Sequence, residues 1–70
     1  MKKKIKIKIN GKFSVINENL SLSKFLNQLK IPLKKVAIEL NQEIIDKNEI
    51  SKIKLKINDK IEIVHFIGGG

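Results

Sequence analysis

Isoleucine and lysine alternate near the start of the chain. Ile5, Ile7 and Ile9 fall between Lys4, Lys6 and Lys8, a two-residue period that sends apolar side chains to one face of a strand and ammonium groups to the other. Asn10-Gly11 follows, the dipeptide best suited to the positive φ angles of a tight hairpin turn, and Phe13 and Val15 resume the alternation. Residues 3–16 are therefore expected to form a β-hairpin. The period then changes. Leu22, Phe25, Leu26 and Leu29 stand at i, i+3, i+4 and i+7, the apolar stripe of a helix. Ser21 is placed to cap its first turn and Pro32 bars its continuation. A helix over residues 22–30 is expected, with Lys24, Asn27, Gln28 and Lys30 facing solvent.

Beyond Pro32, Val36–Leu40 reads as a short apolar strand, Asn41-Gln42 as a turn and Glu43–Ile45 as a weaker strand. Ile50 and Ile53 fit a single helical turn and Leu55 and Ile57 a brief extended piece, so residues 46–57 stay open. Asn58-Asp59 marks the turn into a last strand opened by Ile61 and Ile63. No repeat or change of composition divides the chain, and one domain over residues 1–67 with a flexible reactive tail at 68–70 is expected. A hairpin followed by a crossover helix lets the final strand lie parallel beside the first, in the middle of the sheet. The fold class is α+β, a β-grasp or ubiquitin-like arrangement with a mixed four- to five-stranded sheet packed on one main helix. Ile5, Ile7, Phe25, Leu26, Leu29, Ile61 and Ile63 are the expected core. Strand parity puts Ile61, Ile63 and His65 on one face and Glu62, Val64 and Phe66 on the other.

Seventy residues hold one small core, near the size at which burial only just offsets chain entropy, and leave little room for an internal active site. Cysteine is absent, which removes disulfides, a thiolate nucleophile and a cysteine metal site. His65 is the single histidine, and no paired-carboxylate or His-rich motif occurs, so neither a catalytic residue nor a metal site is expected. No apolar stretch reaches the length of a membrane span, and the lysine–isoleucine start lacks the continuous apolar core of a signal peptide. The chain reads as soluble and cytoplasmic, with no membrane partner. Its net charge of +8 comes from lysine alone. Without arginine, and with Phe13, Phe25 and Phe66 as the only aromatics, the chain lacks the usual equipment of a nucleic-acid surface. Lysine, isoleucine and asparagine supply 36 of the residues (15, 14 and 7). All three have AT-rich codons, so biased base composition explains the lysine excess as well as a partner does.

The most informative feature is the end. Ile61–Ile67 runs directly into Gly68, Gly69 and Gly70. Glycines after a strand-like apolar run, with no polar linker between, leave a carboxylate free of neighbouring side chains, able to enter a slot too narrow for any Cβ. Extended, three residues reach about 10 Å. A frayed tail is the plain alternative, but the apolar run fixes these glycines to the body of the fold. A carboxylate is a poor electrophile, and transfer to AMP from ATP would activate it as a mixed anhydride. No helix follows the glycines to present amides to a phosphate, so a separate adenylating enzyme is required. Sulfur could then capture the acyl group as a thiocarboxylate, or a lysine amine could capture it as an isopeptide.

Asn10-Gly11-Lys12, the segment Val36-Ala37-Ile38-Glu39-Leu40-Asn41 with Glu43-Ile44-Ile45, and above all the stretch from Asn58-Asp59-Lys60 to Val64-His65-Phe66-Ile67-Gly68-Gly69-Gly70 resemble the ThiS family, sulfur carriers of thiamine thiazole synthesis. The resemblance covers nearly the whole chain. It implies that Gly70 is adenylated by a ThiF-like adenylyltransferase using ATP and becomes a thiocarboxylate, with sulfur drawn ultimately from a cysteine desulfurase. It also implies sulfur donation to a thiazole synthase. The carrier itself binds no cofactor and is not an enzyme. Gly68 and Gly69 would thread the partner's active site, and Val64, Phe66 and Ile67 would dock the partner. Gln42 departs from the family, standing where glycine often follows the asparagine. The small sulfur-carrying subunit of molybdopterin synthase shares fold and terminus but is usually longer, with prolines before the glycines. A ubiquitin-like modifier joined to lysines is the alternative of a different class.

Overall fold

The computed structural model describes residues 3–66. Ile67 and the expected tail at Gly68, Gly69 and Gly70 lie outside the described residues. The chain runs β1 (Lys4–Ile9), β2 (Lys12–Asn17), α1 (Leu22–Gln28), β3 (Val36–Leu40), β4 (Glu43–Ile44) and β5 (Lys60–His65), with 3-10 turns at Leu33–Lys35 and Ile50–Lys52. The sheet order is β2-β1-β5-β3-β4. β1 and β5 are parallel, and the other neighbours are antiparallel. The last strand thus lies in the middle of a mixed five-stranded sheet, as the β-grasp expectation requires.

Each turn is closed by local chemistry. Asn10 (φ 48°) and Gly11 (φ 82°) form a two-residue hairpin loop with Ile9 opposite Lys12. Ser21 accepts the Lys24 N–H at 3.1 Å and caps α1. The helix ends earlier than its apolar stripe: Lys30 turns left-handed (φ 58°), and the N–H groups of Lys30 and Ile31 donate to the Asn27 and Leu26 carbonyls, the bond pattern of a Schellman cap. Between β3 and β4, Asn41 (φ 53°) and Gln42 (φ 73°) make the other two-residue loop, so Gln42 occupies a left-handed position without being glycine. The Asn41 amide donates to Asp59 Oδ1 and accepts from the Lys60 N–H, while Asp59 Oδ2 accepts the Lys56 N–H. This links the β3–β4 loop to the turn that launches β5.

The core lies between α1 and one sheet face. Ile7, Phe25, Leu26, Ile61 and Ile63 are buried as expected, and Ile5 is half-buried against them. Leu29 is a correction, since it is 45% exposed. It is the C-cap residue of α1, so the chain leaves the helix before the stripe's fourth residue can reach the sheet. Ile16, Leu22, Val36, Ile38, Ile50 and Leu55 complete the core. The open segment resolves into the Ile50–Lys52 turn and a single bridge from Lys54 to Ser21, with Ile50 and Leu55 buried and Ile57 exposed.

Candidate functional site

The site is built around β5, because the glycine run follows it. β5 pairs with β1 through Lys8–Lys60 and Ile9–Ile61 and with β3 from Val36–His65 to Leu40–Ile61. β1 flanks only the start of β5, and β3 runs beside it to the end, so β3 fixes the direction in which the chain leaves the sheet. Where β1 turns away at Asn10, its side chain takes over: Asn10 Oδ1 accepts the Ile63 N–H at 2.8 Å. Past β5, the Phe66 N–H donates to the Lys35 carbonyl at 2.9 Å, holding the last described residue beside the start of β3.

Alternation along β5 separates two jobs. Ile61 and Ile63 are buried, whereas Val64 is 52% and Phe66 59% exposed. Lys47 Nζ lies 5.4 Å from the Phe66 ring centre. His65, opposite Val36 at the strand end, is exposed. Cross-strand partners share a face, so Val64 adjoins Ala37, and Glu62 adjoins Glu39, which in turn adjoins Ile44.

The register also places Phe13 opposite Lys8 and Val15 opposite Lys6, on the uncovered face rather than with Ile5 and Ile7. Both are more than half exposed, as is Ile44. The sequence reading did not assign these three to the site. The signal for Phe13 and Val15 was present, because a two-residue loop at positions 10 and 11 forces 13 to pair with 8 and 15 with 6. Among the described residues no group of three or more His, Cys, Asp and Glu side chains converges to hold a metal. No helix among them is long and apolar enough to cross a membrane.

A five-stranded mixed sheet with its last strand in the middle and one helix over one face defines a ubiquitin-like fold. A model of the ThiS family matches residues 3–70. The sulfur carrier protein ThiS of Bacillus subtilis is 40% identical over 50 residues, covering 71% of this chain and 76% of that protein. The crystal structure of the thiamine biosynthesis protein ThiS from Geobacter metallireducens superposes with a TM-score of 0.83 at 30% identity, covering 94% of this chain and 100% of that one. A thiazole synthase of Paramagnetospirillum magneticum is 36% identical over 66 residues, 94% of this chain. The chain spans only 20% of that synthase's length. The chain belongs to the ThiS family.

Proposed function

We propose that this carrier works through Gly70, whose carboxylate attacks the α-phosphorus of ATP on a ThiF-like adenylyltransferase and releases pyrophosphate. A persulfide sulfur, supplied by a relay fed from a cysteine desulfurase, then displaces AMP from the acyl adenylate to give an acyl disulfide, and a thiol of the relay cleaves it to the thiocarboxylate, itself ending in a disulfide. A thiazole synthase takes the sulfur. The observation that carries this reading is the family match through Gly70, continuous with the central strand β5. Gly68 and Gly69 supply a stem without side chains for a narrow partner site. ATP and the sulfur donor are handled by the partners; the chain's part is positioning and presentation. That a polypeptide bearing a thiazole synthase name contains a segment similar to nearly all of this chain supports the same partner. Val64 and Phe66, with Ile67, form the docking edge nearest the tail, and the reactions take place in the cytoplasm.

Intact-mass measurement tests the reading. With ATP, the adenylating partner and a sulfur donor, the chain should gain the mass difference between one sulfur and one oxygen atom. Deleting Gly70 should leave the melting temperature unchanged and abolish the gain, because the carboxylate retreats by roughly 3.5 Å from a site that must align it with the α-phosphorus. A Gly70 carboxyl found instead on a lysine amine would overturn the carrier reading in favour of a modifier.

A further inference from the structure

The uncovered sheet face is divided by charge. On the β3 side, Glu39 and Glu62 lie opposite each other. On the β2–β1 side, Lys6 and Lys8 hold their Nζ atoms 4.9 and 5.1 Å from the Phe13 ring centre, and Lys60 is the register partner of Lys8. Lys6, Lys8, Phe13, Asn58 and Lys60 line a shallow depression of about 320 Å³. Among the described residues the one ion pair is Lys52–Glu49, so none of these three ammonium groups meets a carboxylate there. Like charges set side by side across strands are destabilising. Lysines often guard the edge of a sheet against unwanted pairing, but β1 and β5 are interior strands, so that role does not account for Lys6, Lys8 or Lys60.

We propose that this cluster is a charge-selective half of the docking face, receiving a carboxylate-rich surface of a partner protein. An apolar side chain of that partner lies against Phe13 and Val15, which are 66% and 62% exposed. Nucleic acid fits less well: arginine is absent, and both ammonium groups already sit over Phe13, the ring of this cluster on which a base could stack. The inference rests on the carrier reading above and assigns the acidic surface to the adenylating partner. The division of the face then orients the carrier, because only one rotation brings carboxylates onto Lys6, Lys8 and Lys60 while keeping Glu39 and Glu62 away from them.

The test is steady-state adenylation, read by pyrophosphate release with the purified adenylating partner at low and high salt. The triple variant Lys6→Gln, Lys8→Gln, Lys60→Gln is compared with Lys24→Gln, Lys30→Gln, Lys34→Gln, which removes equal charge from α1 and the segment after it. The face triple should raise KM for the carrier about tenfold with kcat unchanged and flatten the salt dependence. The control triple should change KM less than about twofold. Lys8→Gln alone, a milder change that guards against misfolding, should raise KM about twofold. Equal effects of the two triples would reduce the cluster to net charge and overturn the proposal, as would no effect of either. It is also overturned if the face triple loses binding to a single-stranded oligonucleotide while KM stays unchanged. Absence of pyrophosphate release with the wild-type chain would instead overturn the carrier reading, and this inference with it.

Discussion

Replacing Asn10 tests how the fold fixes the strand that carries the site. Asn10 does two things: it takes a left-handed conformation (φ 48°) in the hairpin loop, and its Oδ1 accepts the Ile63 N–H at 2.8 Å. The second follows from topology. The Asn10 N–H donates to the Ile61 carbonyl, so a continuing parallel ladder would bring the Ile63 N–H to the Asn10 main-chain carbonyl. Because the chain turns there, the side-chain oxygen fills that place. Alanine loses the bond, about 1 kcal/mol for a half-buried N–H that water partly reaches, and adds about 1 kcal/mol for a left-handed residue with a Cβ. Glycine loses only the bond. A domain of 70 residues holds roughly 3.5 to 10 kcal/mol in all, and each kcal/mol moves Tm by about 4–8 °C. Asn10→Ala should therefore lower Tm by about 8–16 °C and Asn10→Gly by about half as much, measured by circular dichroism. Hydrogen exchange at the Ile63 amide supplies the local readout, fast in both variants and slow in the wild type. If Asn10→Gly melts with the wild type and Ile63 stays protected, the side-chain bond contributes nothing and the argument fails.

Leu26→Ala, at a side chain 0% exposed, should cost about 2–5 kcal/mol, enough to unfold a large fraction of the chain, while Leu29→Ala should cost less than about 1 kcal/mol; urea titration distinguishes them. Gln42→Gly and Lys30→Gly relieve left-handed side-chain residues, and each should raise stability by up to about 1 kcal/mol, seen as a higher urea midpoint at unchanged slope. Phe66→Ala should leave Tm within a few degrees of wild type yet weaken capture by the adenylating partner in a binding titration, and a loss of stability comparable to Leu26→Ala would make Phe66 a core residue.

Hydrophobic period made the hairpin, the helix and β3 legible, because a period of two or of 3.6 states which face is buried. Leu29 misled because the stripe continues through the residue at which the helix ends. Its stop signal is a Schellman cap built on Lys30, where glycine would have announced it. Gln42 hides a left-handed loop position in the same way. Ile50 and Leu55 were ambiguous because a 3-10 turn followed by a single bridge has too few residues to show a period. At the candidate site, the exposure of Val64 and Phe66 followed from parity along β5. Ile44 could not be placed there, since its face depends on pairing with Glu39 through a loop whose geometry the sequence did not declare.

The central position of β5 lets one strand serve both the core and an exposed face of the sheet. Odd-numbered Ile61 and Ile63 are 1% and 8% exposed and join the core, while even-numbered Lys60, Glu62 and Val64 face solvent. Substitutions at the even positions can therefore alter recognition at little cost in burial. A strand at the sheet edge would offer the same alternation but with hydrogen bonds on one side only, and its end would fray more readily. β5 is held instead by β1, β3 and the Asn10 side chain. The ordered backbone thus extends through β5 to Phe66, whose N–H donates to the Lys35 carbonyl.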